Sequence, residues 1–348
     1  AVQNDLSYFY GDLGSRTVEV VMTRMFRLAL AQMNPTVGDI KGNTAKIMQY
    51  LEQARESQAD LVAFPELAIT GYPPEDLLFK TSFLRDNVAA MGRVVAASQG
   101  IAVVVGYVKM GADISNAAAL GYDGKLIDVY EKIYLPNYGV FDEDRYFRPG
   151  TVCPMYVVNG VSVGLGICED IWSPVGPITV QRQAEAELIV NINASPFHAG
   201  KNLEREKMIA TRTSDNELFV AYLNCVGGQD ELVFDGASFV MNADLSIAQQ
   251  LPDWEEALVL TQWEKWDGQW VCLPGDPHPL DERPADIYNA MVLGLRDYVN
   301  HNRFPGVVLG LSGGIDSALS AAVAVDALGP DRVWCVMMPS RFTSQDSL

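Results

Sequence analysis

Apolar residues recur along this chain in two rhythms. From Phe26 onward, short runs rich in branched and aromatic residues alternate with stretches in which apolar residues return every three or four positions, the pattern of an α/β protein. The first rhythm predicts strands over 26–33, 61–64, 101–108, 117–122, 126–130, 161–168, 188–192, 219–224 and 238–241. The second predicts a helix capped by Asn43 with Ile47, Tyr50, Leu51 and Ala54 on one face, and another carrying Leu84, Val88, Met91 and Val95. Both rhythms break after Cys272, where Pro274-Gly275-Asp276-Pro277-His278-Pro279 marks a linker over 274–283. Pro284 then suits a first helical turn, and Ile287, Met291, Leu295 and Tyr298 form a helical stripe. A strand over 306–311, a Ser-Gly-Gly turn and a helix over 318–328 follow as one β-loop-α unit. The expected division is a first domain over 26–273, the linker, and the beginning of a second domain over 284–348. Residues 1–25 read as an upstream extension or a vector-derived remnant, because Met22 and Met25 stand just before the first convincing strand.

Composition narrows the function. The 348 residues are 49% hydrophobic, enough for a large core, and 25 Lys+Arg against 44 Asp+Glu leave a formal charge of -19. A phosphate backbone would be repelled over most of such a surface, so nucleic acid is not an expected partner. No stretch approaches the roughly 20 apolar residues that span a bilayer, and the first 24 residues lack the basic start and apolar core of a signal peptide, so no membrane is expected. The five cysteines, at 153, 168, 225, 272 and 335, form no C-x-x-C pair, and the three histidines form no metal cluster. This usage suits a reducing cytoplasm.

The run Val161-Ser162-Val163-Gly164-Leu165-Gly166-Ile167-Cys168 is the most informative local pattern. Bulky residues occupy one face, while Ser162, Gly164, Gly166 and Cys168 leave the other nearly bare, as if another backbone or a substrate must approach it. A cysteine at the end of that strand, followed by Glu169-Asp170, would be presented at a loop mouth. Taken alone, a free cysteine is more often a small hydrophobe. Glu66 also ends a strand, in Ala63-Phe64-Pro65-Glu66, and Lys132 follows another, in Glu131-Lys132-Ile133-Tyr134-Leu135-Pro136. Each charge alone would ordinarily be solvated. Together, a thiol, a carboxylate and an ammonium can supply the nucleophile, the proton shuttle and the positive charge that amide cleavage requires.

These segments, in this order, resemble the carbon-nitrogen hydrolase (nitrilase) superfamily, whose members use a Glu-Lys-Cys triad. The resemblance runs from about Phe26 to about Pro274 and implies a four-layer α-β-β-α sandwich with Glu66, Lys132 and Cys168 at strand ends. Glu143, in Phe141-Asp142-Glu143, is the candidate match for the superfamily's second, structural glutamate.

In the second unit, Val307-Val308-Leu309-Gly310-Leu311 runs into Ser312-Gly313-Gly314-Ile315-Asp316-Ser317, where glycines can converge backbone N–H groups on an anion at a helix start. No Gly-Lys-Ser/Thr follows, so this is not a Walker A loop. The hexapeptide resembles the pyrophosphate loop of the Rossmann-like ATP pyrophosphatases, which implies ATP held by Ser312, Gly313, Gly314, Asp316 and Ser317. Mg2+ would accompany the nucleotide, with Asp316 orienting the loop or meeting the ion, and no permanently bound cofactor is expected. The chain as a whole resembles the glutamine-dependent NAD+ synthetases, through segments such as Gly71-Tyr72-Pro73-Pro74-Glu75-Asp76-Leu77 and Asn193-Ala194-Ser195-Pro196-Phe197. That resemblance implies that ammonia released from glutamine attacks adenylated nicotinic acid adenine dinucleotide, and the fusion of the two units in one chain leads us to expect that the ammonia passes internally. It places Tyr138, Glu169, Trp172, Ser195 and Lys201 around glutamine, and implies a homo-oligomer. A free-standing amidohydrolase and a non-catalytic oligomeric scaffold are the alternatives. The family's synthetase domain continues well past Met338-Pro339-Ser340-Arg341, so a polypeptide ending at Leu348 is expected to keep glutaminase chemistry without completing NAD+ synthesis.

Overall fold

The computed structural model describes residues 25–339, apart from 267 and 277, together with residue 341. The expected extension falls outside the described residues except at Met25, which opens the first strand. In chain order the elements are β1 (Met25–Gln32), α1 (Ile40–Glu56), β2 (Leu61–Ala63), α2 (Thr81–Ala96), β3 (Ala102–Met110), β4 (Ile114–Tyr122), β5 (Lys125–Glu131), β6 (Met155–Val158), β7 (Val161–Ile167), α3 (Pro177–Gln183), β8 (Leu188–Asn193), α4 (Lys201–Asn216) and β9 (Phe219–Asn224). There follow β10 (Val226–Gln229), β11 (Leu232–Asp235), β12 (Phe239–Met241), β13 (Ile247–Gln250), β14 (Ala257–Trp266), β15 (Gln269–Cys272), α5 (Ala285–His301), β16 (Val307–Gly310), α6 (Ile315–Leu328) and β17 (Val333–Val336).

Two mixed sheets, ordered β15-β14-β1-β2-β3-β4-β5 and β13-β12-β9-β8-β7-β6, pack face to face. Strand alternation builds the layers. Phe26, Leu28 and Leu30 of β1 meet Val161, Val163 and Leu165 of β7 in the core between the sheets. The intervening Ala29 and Ala31 turn outward onto Ile47 and Leu51 of α1 and Val94 of α2. On the far sheet, Ile189, Val220 and Tyr222 face Ile178 of α3 and Ile209 of α4. The result is an α-β-β-α sandwich whose central strands, β1-β2-β3 and β7-β8-β9, run parallel and are buried on both faces.

Five expectations change. Asp39, not Asn43, caps α1, its carboxylate accepting from Gly42 N at 2.9 Å. Asn43 is buried instead, its amide exchanging bonds with Thr36 and reaching Ile69 O. The bare face of β7 receives side chains rather than a substrate: a Cβ on Gly166 would lie 2.2 Å from Asn191 Oδ1, and one on Gly164 2.6 Å from Gln181 Oε1. Pro284 occupies the N-cap of α5, one place earlier than a first-turn position. The strand expected over 306–311 spans Val307–Gly310, and the helix expected over 318–328 begins at Ile315.

In the second unit, β17 pairs in parallel with β16, so more than one β-loop-α element is present. Helix α5 faces both ways. Tyr288 Oη donates to Asp326 of α6 at 2.6 Å, while buried Asp297 accepts from Gly228 N of β10 at 2.8 Å and Asn34 Nδ2 at 2.7 Å.

Candidate active site

Glu66 lies in the turn after β2, and the neighbouring strand makes room for it. A Cβ on Gly106 of β3 would lie 2.3 Å from Pro65 O and 2.4 Å from Leu67 N, so only glycine lets this turn cross the strand. Gly106→Val should therefore push the Glu66 turn outward, cost about 1–3 kcal/mol of stability and lower amidase activity more than the melting loss explains. Activity per folded molecule, measured below the melting transition, checks this.

Lys132 follows β5 directly, with its backbone N–H on Asn116 O at 2.8 Å. Its Nζ donates to Glu66 Oε1 at 2.7 Å and to Glu143 Oε1 at 2.8 Å, and the Lys132 and Glu66 side chains are fully buried. Asn116 Nδ2 donates to Glu66 Oε1 at 2.7 Å, Ala194 N to Glu66 Oε2 at 2.9 Å, and Tyr72 Oη to Glu143 Oε1 at 2.9 Å. Cys168 begins a short 3₁₀ turn after β7 with φ at 46°, a left-handed conformation at a strand-to-helix corner. Strain of this kind collects where geometry is over-determined.

The electrostatics fit a proton-passing cluster. Burial alone would lower the Lys132 ammonium, but Glu143 and Glu66 hold its pKa well above the ordinary lysine value. Burial, with Glu66 adding repulsion against the opposing pull of Lys132, raises Glu143 to about 7. The Cys168 thiol is pushed well above its ordinary value, first by burial and then by Glu66, with Lys132 opposing. At rest it is a thiol, and it needs a base to become a nucleophile.

Cys168 opens into a cavity of about 500 Å³ that also gathers Tyr138, Glu169, Trp172, Ser195 and Lys201. Tyr138 Oη donates to Glu169 Oε2 at 2.9 Å, and Lys201 Nζ stands 4.2 Å from the centre of the Trp172 ring while reaching Glu204 at 3.3 Å. Ser195 is fixed from below, where Arg205 of α4 donates to Ser195 O at 2.7 Å and is itself held by Asp235. Asn116 and the Arg205–Asp235 pair carry no expectation from sequence. The polar pair Ser115-Asn116 at the head of an apolar run was the available signal for the first, whereas no short-range pattern marks the second.

The phosphate-loop candidates sit apart from this cavity, between β16 and α6. Gly313 adopts φ of 81°, and Ser317 Oγ accepts from Ser312 N at 3.2 Å and donates to Gly314 O at 3.0 Å. Asp316 is exposed in the first turn of α6.

The carbon-nitrogen hydrolase family profile matches residues 27–264, most of the chain. The chain belongs to the carbon-nitrogen hydrolase family. Beyond the hydrolase region, the NAD synthase family profile matches residues 287–348. This family member is similar to glutamine-dependent NAD(+) synthetases of Thermotoga maritima, 39% identical over 93% of this chain and 62% of the relative, and Rhodobacter capsulatus, 45% identical over 94% and 59%. It spans about 60% of the length of such curated relatives. Its fold superimposes on a glutamine-dependent NAD+ synthetase from Acinetobacter baumannii in complex with ADP with a TM-score of 0.89 at 40% identity, covering 93% of this chain and 61% of that one. A carbon-nitrogen hydrolase sandwich alone is matched by an amidase from Nesterenkonia sp. AN1, at a TM-score of 0.62 and 25% identity over 72% of this chain and 90% of the amidase. In that structure an acetamide moiety is covalently added at the active site cysteine. Among the described residues, no helix is long and apolar enough to cross a membrane.

Proposed function

We propose that this chain carries the glutaminase of a glutamine-dependent NAD+ synthetase, joined to the start of its ATP-using domain, with the domain division drawn at 26–273 and 284–348. The observation that carries the reading is the buried Glu66–Lys132 pair together with a corner-strained Cys168 that lines a cavity shared with Glu169 and Lys201. Glu66 takes the thiol proton as sulfur attacks the side-chain amide carbon of glutamine, Lys132 faces the developing oxyanion, and Glu66 returns the proton as the C–N bond breaks and ammonia leaves. Water, activated by the same carboxylate, then cleaves the thioester to glutamate. In the second unit Ser312, Gly313, Gly314, Asp316 and Ser317 hold the phosphates of ATP, with Mg2+ arriving on the nucleotide as a substrate-associated ion. The carboxylate of nicotinic acid adenine dinucleotide attacks the α-phosphorus of ATP and releases pyrophosphate, and ammonia then displaces AMP from the acyl adenylate to form the amide.

Glutamine is the amide favoured by the cavity because Glu169 and Tyr138 offer an anionic, oriented partner to an α-ammonium while Lys201 faces an α-carboxylate. Glu169→Gln is expected to raise the KM for glutamine by about 10–100-fold, the worth of a charge-assisted hydrogen bond, and to leave cleavage of simple amides unchanged. Steady-state assays with glutamine and propionamide check this. The reading as a whole is tested by ammonia release from glutamine by the purified chain. A free-standing amidase would also release ammonia but would have no use for the Ser312–Ser317 loop, so nucleotide binding by that loop separates the two.

A further inference from the structure

Asp170 is two residues beyond the candidate nucleophile, yet its fully buried carboxylate points back to both halves of the site. Its Oδ2 accepts from Ile167 N at 3.0 Å, the residue immediately before Cys168, and from Tyr130 Oη at 2.8 Å. Its Oδ1 accepts from Ile133 N at 3.0 Å and Tyr134 N at 2.9 Å, the two residues immediately after Lys132. One carboxylate thus ties the cysteine corner of one sheet to the lysine strand end of the other. Each oxygen takes two donors, so neither segment can shift without leaving a buried N–H unpaired.

We infer that Asp170 is a positioning residue that fixes the separation of Cys168 and Lys132, so that sulfur and ammonium meet the same amide carbonyl. This rests on the proposed glutaminase chemistry. The strained backbone of Cys168 supports it, since a left-handed corner at a non-glycine residue persists only where neighbouring bonds hold it. The position of Tyr130 supports it as well, because that residue sits on β5 two places before Lys132 and braces the same carboxylate from the strand itself. Asp170 touches no part of the cavity that would receive glutamine, so its influence passes through the two catalytic candidates.

The consequence is a specific kinetic signature. Asp170→Asn keeps the shape but turns an NH2 toward two donors, releasing one of the two segments. A misplacement of order 1 Å between reacting groups costs about 100-fold in rate, so kcat per active site should fall about that far while KM for glutamine changes less than about threefold. Tyr130→Phe removes one of the four bonds and should lower kcat by about three- to tenfold, again with KM kept, as expected for a weakened rather than lost brace. The experiment is steady-state kinetics of wild type, Asp170→Asn and Tyr130→Phe, normalised to sites titrated with a thiol-directed glutamine analogue. A folded Asp170→Asn with wild-type kcat, or with its whole loss in KM, overturns the inference. If Asp170→Asn does not fold, Tyr130→Phe decides, and an unchanged kcat in that variant overturns it. A wild-type chain without glutaminase activity would instead sink the glutaminase reading, leaving the two failures distinct.

Discussion

Cys168→Ala is expected to abolish ammonia release from glutamine, lowering kcat by roughly 10⁴-fold or more, because members of a catalytic unit cannot substitute for one another. No other thiol in the chain can take over. Cys225 and Cys272 are buried and their thiols are pushed up by burial, and Cys153 and Cys335 lie outside the cavity that Cys168 opens into. The same logic applies to the base. Glu66→Gln keeps an acceptor for Lys132 but removes the carboxylate that takes the thiol proton, so it should fall nearly as far. Incubation with a glutamine-like diazoketone followed by peptide mass spectrometry should place the adduct on Cys168 in the wild type and on no residue in Cys168→Ala. An adduct on Cys153 or Cys225, or residual turnover above about 1% of wild type, would overturn the assignment, since the loss expected for a nucleophile is far larger.

What the sequence made legible follows the reach of its patterns. Buried parallel strands such as Val161–Ile167 and Leu188–Asn193 are near-continuous apolar runs, and they stand close to where the run of residues places them. The elements without an expectation have a different physical character. Helix α4 has no apolar stripe because its buried face mixes Ile209 with Arg205, Thr213 and Asn216, and Arg205 is held by Asp235 and the Ser195 carbonyl, partners that no local spacing encodes. Strand β14 alternates Thr261, Gln262, Trp263 and Glu264, and its place beside β1 is set by a partner more than 200 residues away. Asn43 shows the same limit in reverse, since its type suits a cap but Asp39 stands where the geometry needs one. At the candidate site, charged residues at strand ends could be read one by one. Their burial, and the convergence of Lys132 on Glu66 after β2 and Glu143 in the loop after β5, depends on segments up to 66 residues apart meeting and is absent from any short window of sequence.

That convergence makes Lys132 the residue whose loss should cost most in stability as well as activity. Methionine in its place keeps the length of the stem but removes the charge that separates Glu66 from Glu143, leaving two buried carboxylates with Asn116, Ala194 and Tyr72 as their donors among the described residues. Removing one partner of a buried ion pair typically costs about 3–5 kcal/mol. The sign of the pH dependence follows from the shifts. The raised pKa of Lys132 keeps its contribution present below the ordinary lysine value and loses it only as pH rises through the higher folded value, so the wild type gains or loses nothing from that titration between pH 5 and 8. Glu143 behaves differently: a carboxyl raised from 4.5 to about 7 in the fold favours the folded state most below 4.5, and that advantage is lost as pH rises through about 7. Without the lysine the lowering influence on Glu143 disappears, its pKa rises further, and the window of lost stability extends upward. Lys132→Met should therefore melt well below the wild type at alkaline pH and recover part of the difference on acidification toward pH 5.5, as Glu143 takes up a proton. Glutaminase activity should stay absent throughout, because acidification restores the fold's neutrality but not the cation that faces the oxyanion. Thermal unfolding of both proteins at pH 5.5, 7 and 8.5 checks this, and a deficit that is the same at every pH would show that Lys132 contributes packing rather than charge.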